Sequence, residues 1–224
     1  MNSFDIWYEG TKESLKALLH PIQEYSVFFS NFFNGFAVVG SMFLLLLVYS
    51  SIRYGKTTAR LLKKPQTLAI AALMMALNII LGYYTLRLST TLRIGFGFLT
   101  QPIVATLFGP LVSCMTGMIQ DILCYLLNPE GGFLPTYTMC VGIAGMLYGM
   151  VLFRKPTTFS RVFFVKVLII VVVNIFLNSI ALAPTSGSGF IGILPARIVK
   201  NILLLPIQSI LSYLVLKLVR RIQK

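Results

Sequence analysis

Residues 194–201 read Leu-Pro-Ala-Arg-Ile-Val-Lys-Asn and open the last long apolar run of the chain. A run of this length crosses a bilayer as a helix, and an ionised side chain inside a membrane costs at least about 2.5 kcal/mol by insertion scales. If Pro195 opens the helix, then Arg197, Lys200 and Asn201 share one helical face. We therefore predict a cationic binding surface on this face. The alternative is that both cations reach back to the lipid headgroups.

The composition places the whole chain in a membrane. Of the 224 residues, 57% are hydrophobic and only 11% are charged, and several uncharged runs approach the length of a membrane span, so we predict an all-α polytopic membrane protein. A net charge of +13 is compatible with nucleic-acid binding, but most cations flank apolar runs, as the positive-inside rule predicts. The three cysteines fall within apolar runs, and neither a disulfide framework nor a metal site is expected.

The apolar runs divide the chain into two parts. Residues 66–224 are predicted to form a six-helix membrane domain in which the turn Gly109-Pro110 separates two short spans. Residues 1–65 are predicted to form an N-terminal extension. It would hold an amphipathic segment that ends at Pro21, one extra transmembrane helix over about 32–52, and a basic cytoplasmic loop.

One predicted outer loop, Arg87 to Gly97, carries features suited to an anionic ligand. Arg87 and Arg93 lie in the first loop, on the side where the topology rule disfavours positive charge. Phe96 and Phe98 alternate there with glycines, which suggests a movable gate. The alternative is an irregular connection with stray cations.

Strongly polar residues inside the predicted spans fall mostly in the outer halves of their helices. Because these helices come from different parts of the chain, one shared polar cavity open to the outside is the simplest arrangement. No histidine, cysteine or paired-carboxylate cluster suits catalysis, and Lys166 groups with the cytoplasmic cations. The polar residues assigned to the cavity are Asn78, Gln101, Asp121, Asn178, Arg197, Lys200 and Asn201.

Ala72 and Ala76 are spaced four residues apart on the first helix of the predicted six-helix domain. Small residues at this spacing allow another helix to approach closely. Asn78 lies on a different side of the same helix, so the small face is expected to point away from the cavity. We predict a partner-docking surface, with ordinary internal packing as the alternative.

The order of these features resembles a known family. Arg197-x-x-Lys200-Asn201 after a proline, Gly109-Pro110, Asp121, the loop Gly131-Gly132-Phe133-x-Pro135 and Ala72-x-x-x-Ala76 together resemble the substrate-binding S component of energy-coupling factor (ECF) vitamin transporters, and most of all the folate-specific FolT family. The resemblance covers residues 66–224. It implies a six-helix protein of the bacterial cell membrane that captures a vitamin on its outer face. It also implies docking on a transmembrane T component, with two cytoplasmic ATPases using ATP to drive release inward.

Folate suits the predicted cavity because it joins a flat pterin, an aromatic middle and a glutamate with two carboxylates. Cations would hold the carboxylates, aromatic side chains would cover the rings, and Asp121 with the amides would pair with the pterin. The competing role for Asp121 is an ion pair with Arg197. The candidates are Arg87, Arg93, Arg197 and Lys200 for the carboxylates, Phe96, Phe98, Phe133 and Tyr137 for the rings, and Asp121, Asn178 and Asn201 for the pterin.

Three other functions remain open from the sequence. An S component for another vitamin or precursor, such as riboflavin or pantothenate, would share the same fold. An uncoupled membrane channel would lack the energising partners. A lipid-modifying enzyme would need more acidic or histidine side chains than Asp121 and Glu130, the only carboxylates after residue 65.

Overall fold

Helices make up almost all of the described backbone in the computed structural model of this chain. The backbone is described for residues 3–83, 86–87, 93–94, 96–127, 133–182 and 189–222. Side chains are described for residues 30, 32–82, 97–127, 133–182, 194–195 and 197–221.

The elements follow one another with short connections. In chain order they are α1 (Ser3–Leu62), α2 (Pro65–Tyr83), β1 (Leu86–Arg87), β2 (Arg93–Ile94), a 3₁₀ turn (Phe96–Leu99), α3 (Thr100–Phe108), α4 (Pro110–Leu127), α5 (Pro135–Leu152), α6 (Phe159–Ile169), a π-helical segment (Ile170–Leu177), α7 (Asn178–Leu182) and α8 (Gly189–Ile222).

The helices confirm the predicted fold class. In the described part of the chain, six helical stretches are long and apolar enough to cross a membrane, and a shorter apolar helix covers Gly97–Phe108. The first long stretch is Phe32–Leu62 in α1, which matches the predicted extra N-terminal span. The other five and the short helix make up the six-helix core. The division of the chain at residue 65 into two units stays a prediction.

The turn between α3 and α4 is made by the predicted glycine and proline. Gly109 has a φ of 91°, a conformation that side-chain-bearing residues rarely adopt. Pro110 then begins α4, where its missing N–H is not needed. This pair reverses the chain in a single residue and so places α3 and α4 side by side.

α5 lies at the centre of the bundle and packs against α4 through glycines. A Cβ on Gly149 would lie 2.3 Å from Pro110 Cα, and one on Gly145 would lie 2.6 Å from the Ser113 carbonyl oxygen. The two helices therefore approach so closely that no side chain fits between them. The fully buried side chains of the surrounding core include Val39, Ile143, Met146, Leu152, Val165, Leu177 and Leu216.

The extra helix α1 packs on the same central helix and on α7. The Phe43 ring lies 3.0 Å from where a Cβ on Gly142 would stand. Gly35 lies against the Ile180 carbonyl oxygen, and Val39 between these contacts is fully buried. The transmembrane part of α1 is thus closely packed against the core.

Three predicted helix boundaries are wrong, namely the end at Pro21, the end near residue 52 and the start at Pro195. α1 continues through Pro21 and through the basic segment to Leu62, because lysine and arginine are themselves good helix formers. α8 begins at Gly189, so Pro195 lies inside the helix and does not open it. Prolines are tolerated inside membrane helices, where neighbouring groups satisfy the carbonyls they free.

Candidate binding cavity

A cavity of about 190 Å³ lies inside the six-helix core. The 3₁₀ turn, α3, α5, α6, the π-helical segment, α7 and α8 all contribute to its wall. Its lining combines aromatic, amide and aliphatic side chains with one amine: Phe98, Gln101, Val141, Ala144, Tyr148, Lys166, Ile169, Ile170, Val173, Asn174, Asn178 and Gln208.

The π-helical segment brings two asparagines to the cavity. The Asn178 N–H donates to the Val173 carbonyl, five residues earlier, whereas an α-helix would use the residue four earlier. Both Asn174 and Asn178 line the cavity. π-helical turns are rare and frequently lie at functional sites, which agrees with the place of this one.

Arg197 and Asn201 hold the π-helical segment from α8. The Arg197 guanidinium donates to the Asn174 carbonyl oxygen at 3.1 Å. The Asn174 side-chain amide donates to Asn201 Oδ1 at 3.3 Å, and Asn201 Nδ2 donates to the Arg197 carbonyl at 2.9 Å. These three residues form a closed polar cluster, the Asn174 cluster, beside the cavity.

Two further amides are placed to meet a ligand. Gln101 Nε2 donates to the Val141 carbonyl at 2.9 Å, which fixes the side chain at the cavity wall. Asn178 Oδ1 is buried and accepts no hydrogen bond from the residues that the structure describes. A buried acceptor without a donor costs about 1–3 kcal/mol, so a ligand that donates to Asn178 removes this cost.

Lys166 lies at the end of the cavity away from Asn178, and its predicted cytoplasmic position is wrong. The side chain is only 3% exposed and its Nζ donates to Gln208 Oε1 at 3.4 Å. Nζ also lies 4.6 Å from the centroid of the Phe98 ring. One signal of its inward position was present in the sequence, since Lys166 follows Arg161 at a spacing that turns it to another side of α6.

The predicted site residues divide into those near the cavity and those elsewhere. Phe98 and Asn178 line it, and Arg197 and Asn201 belong to the Asn174 cluster. Lys200 is half-buried on α8, one turn from Arg197.

The remaining predicted ligand residues lie outside the cavity lining. Asp121 accepts a 2.7 Å hydrogen bond from Thr138 and makes no ion pair with Arg197. The Phe133 ring is 42% exposed and packs on Tyr125 with ring centroids 5.2 Å apart. Tyr137 packs against the apolar core.

Between α2 and the 3₁₀ turn, the loop is described only through its short strands. β1 and β2 pair in antiparallel fashion, with Arg87 opposite Arg93. The side chains of Arg87, Arg93 and Phe96 lie outside the described residues, so their predicted contacts with a ligand stay predictions.

The two sides of α2 differ in burial, as the angular separation of their residues predicts. Ala72 and Ala76 are exposed, whereas Asn78 is buried and donates to the Gly97 carbonyl at 2.7 Å and to Thr100 Oγ1. Asn78 therefore ties α2 to the start of α3, and the small face of α2 stays open.

Comparison with known proteins agrees with this arrangement of helices. The family model "ECF transporter, substrate-specific component" matches residues 66–216. The folate transporter FolT of Clostridium novyi (strain NT) is 28% identical over 162 residues, which cover 72% of this chain and 94% of that protein. FolT of Leuconostoc mesenteroides subsp. mesenteroides is 30% identical over 154 residues, covering 66% of this chain and 82% of that protein.

A solved structure has the same fold. The crystal structure of FolT bound with folic acid superposes with a TM-score of 0.61 and 26% sequence identity, covering 67% of this chain and 92% of that one. The family is a set of transporter components, which sets aside the lipid-modifying enzyme. The chain therefore belongs to the family of ECF transporter substrate-specific components and is a multi-pass protein of the cell membrane.

Proposed function

We propose that this chain captures folate at the membrane and delivers it to an ATP-driven energising module. The observation that carries the proposal is the cavity, in which Phe98 and Tyr148 offer aromatic faces while four amide side chains offer donors and acceptors. A flat, polar-edged heterocycle such as pterin needs this combination. The similarity to FolT proteins supports the same ligand.

The size of the cavity decides how much of folate enters it. Pockets for whole small-molecule ligands are about 300–1,000 Å³, and this cavity has about 190 Å³. Only a part of folate, such as the pterin ring, fits inside. The glutamate then extends towards α8, where Arg197 donates to the carbonyl of the cavity-lining Asn174 and Lys200 lies one turn further on.

The remaining predicted site residues belong to the same proposal. Arg87 and Arg93, opposite each other on β1 and β2, would join Arg197 and Lys200 in holding the two carboxylates. Phe96, Phe133 and Tyr137 would cover the aromatic middle. Asp121 and Asn201 are proposed as hydrogen-bonding partners that act once the ligand is bound.

Energy for uptake would come from partner subunits. The family supports a transmembrane T component and two cytoplasmic ATPases as partners, and the chain itself needs no cofactor. We propose that the exposed small face of α2, Ala72 and Ala76, receives a helix of the T component.

The direct test is the identity of the bound molecule. Native mass spectrometry of the detergent-purified protein, followed by calorimetric titration with folate, riboflavin and pantothenate, is expected to show folate bound and the other two not. Binding of riboflavin or pantothenate in place of folate would assign the chain to another vitamin and overturn the proposal.

Coupling is tested separately from binding. Liposomes that contain this protein alone, with ATP inside, are expected to bind labelled folate without concentrating it. Accumulation above the external concentration would show that no energising partner is needed. An uncoupled channel would instead equilibrate folate across the liposome membrane.

A further inference from the structure

Lys166 and Gln208 stand together at one end of the cavity. Counted along the helices, Lys166 on α6 and Gln208 on α8 each lie roughly 16–18 Å from the cavity's other end at Asn178 and Arg197, at 1.5 Å per residue. Lys166 is 3% exposed and its Nζ donates to Gln208 Oε1 at 3.4 Å. The pair therefore forms a floor beneath the cavity.

The protein supplies Lys166 with few partners. Among the residues with described side chains, its head group has one long hydrogen bond to Gln208, and the Phe98 and Tyr148 ring centroids lie at 4.6 and 5.6 Å. No described carboxylate pairs with it, since Asp121 is engaged with Thr138 on another helix pair. Burying a polar head group without hydrogen-bond partners for all of its hydrogens costs free energy. The Lys166 amine is therefore suited to donate to an acceptor atom of a ligand.

The floor presents a donor and an acceptor side by side. The amine of Lys166 carries hydrogens to donate in either protonation state, and Gln208 Oε1 is an acceptor. The pterin ring of folate carries a complementary pair on adjacent atoms, the 4-oxo oxygen as acceptor and the neighbouring N3–H as donor. Approach of this edge lets Lys166 donate to the oxo oxygen while Gln208 accepts from N3–H.

We propose that Lys166 and Gln208 read the 4-oxo and N3–H edge of the pterin, so that the ring enters the cavity first and the glutamate stays towards Arg197. This inference rests on the proposed folate function. It makes Lys166 a specificity-determining residue. Replacing the 4-oxo group by an amine exchanges the donor and the acceptor on this edge of the ring. The amine places a donor opposite Lys166, and N3, which then carries no hydrogen, places an acceptor opposite Gln208 Oε1.

The orientation follows from the charges as well. A single amine at the floor, enclosed by Phe98 and Tyr148, offers one charge for the two carboxylates of glutamate. The other end offers Arg197 and Lys200 on one face of α8. The dicarboxylate therefore matches the Arg197 end, and the neutral ring matches the floor.

The experiment compares folate with 4-amino-4-deoxyfolate on the purified full-length protein. The wild type is expected to bind folate at least about tenfold more tightly, because a site built to hydrogen-bond a group rejects an analogue that lacks it. Lys166→Met keeps most of the side-chain volume and removes the donor. Its preference for folate is expected to fall by about tenfold, the worth of a buried hydrogen bond.

Two variants complete the comparison. Gln208→Leu removes the acceptor and is expected to lower the same preference, which tests the floor even if Lys166→Met does not fold. Lys217→Met, on the exposed side of α8, is the matched control and is expected to keep the wild-type preference. Thermal unfolding in detergent checks that each variant is folded.

The outcomes separate the two proposals. A wild type that binds no folate overturns the proposed function and this inference with it. A wild type that binds folate and its 4-amino analogue equally overturns the inference alone. A Lys166→Met variant in which both affinities fall by the same factor also overturns it, because loss of fold support weakens both ligands and leaves their ratio unchanged.

Discussion

Arg197 places a positive charge beside the cavity and also forms a hydrogen bond with the backbone of the π-helical segment. Its guanidinium donates to the Asn174 carbonyl at 3.1 Å, so part of its hydrogen-bonding capacity is used within the protein. An arginine has five N–H groups, so this one contact does not exhaust what Arg197 can donate to a carboxylate. The same side chain therefore positions Asn174 and attracts the ligand.

We expect Arg197→Ala to weaken folate binding by about 2 to 5 kcal/mol, the cost of removing one partner of a buried charged hydrogen bond. Calorimetric titration of the purified variant measures the loss. The affinity for pterin alone, which has no glutamate, is expected to fall less than the affinity for folate.

Arg161→Ala is the control for this prediction, because Arg161 is an exposed cation on α6. It is expected to bind folate like the wild type. An Arg197→Ala variant with wild-type folate affinity would show that the carboxylates bind elsewhere.

The residues of the cavity were only partly predictable from the sequence. Arg197 and Asn201 stand out because strongly polar residues are rare inside an apolar run. Lys166 was misplaced because it follows a row of cytoplasmic cations, and the positive-inside rule assigns a lysine by its distance along the chain. Only the packing of α6 against α8 and the 3₁₀ turn shows that this amine points inward.

At the level of helices, the contact between α4 and α5 depends on the absence of side chains. A Cβ on Gly149 would stand 2.3 Å from Pro110 Cα and 2.4 Å from Pro110 N. Both are backbone atoms beside a tight turn and cannot move independently. The helices would have to separate to admit even a methyl group.

Gly149→Ala is therefore expected to destabilise the protein by about 1 to 3 kcal/mol, in the range of overpacked cores. Thermal unfolding in detergent measures the change. Gly40→Ala on α1 is the control, because nothing lies within 4 Å of the added methyl. It is expected to leave stability unchanged or raise it slightly, since alanine favours a helix by about 0.5–1 kcal/mol over glycine. Equal effects of the two changes would contradict this account.

The small face of α2 provides a second prediction at this level. Replacing Ala72 and Ala76 together by Trp is expected to abolish co-purification with the T component and ATP-driven uptake, because bulk there blocks a close helix contact. Folate affinity of the isolated protein is expected to stay within about twofold, as for distant independent sites. Pull-down, uptake and titration measure the three quantities.

Trp at Leu44 and Val48 is the matched control, since these two residues of α1 have the same spacing and are 60% and 53% exposed. This variant is expected to assemble normally. Loss of folate binding in a folded Ala72/Ala76 variant would show that this face serves the ligand site.

The number and order of the helices were predictable, whereas two of their features were not. Long apolar runs and the Gly109-Pro110 turn define the spans from composition alone. The π-helical segment differs from an α-helix by a hydrogen-bond shift of one residue, which leaves no compositional trace in a run of apolar residues. The unbroken course of α1 through its basic end was missed because lysines and arginines after a span were assigned to a loop, although they are also good helix formers.

Taken as a whole, the molecule is a six-helix core with one helix added to its side. The matched region begins at residue 66, and α1 packs through Gly35, Val39 and Phe43 on α5 and α7. Lipid chains are as apolar as the surface that α1 covers, so its removal costs packing contacts without exposing that surface to water.

A chain that lacks residues 1–64 is therefore expected to insert, fold and bind folate with an affinity within about twofold of the full chain. Its thermal stability is expected to be lower, because Val39 and Phe43 no longer contact the core. Titration and thermal unfolding of the truncated protein measure both quantities. Loss of folate binding in a truncated protein that is folded would make α1 part of the binding unit and not an addition to it.

The π-helical segment also determines which side chains of the helix from Phe159 to Leu182 face the cavity. Successive residues of an α-helix advance by about 100°, and the wider turn at Ile170–Leu177 delays this rotation, so that Lys166, Asn174 and Asn178 all reach the cavity. Loss of a single lipid-facing residue such as Val171 would let this stretch return to an ordinary α-helix. The missing residue removes about 100° of rotation and the ordinary turn restores about 100°, so Asn178 would keep its side of the helix. In a helix without a π-helical segment, the same deletion would turn every later side chain by about 100°.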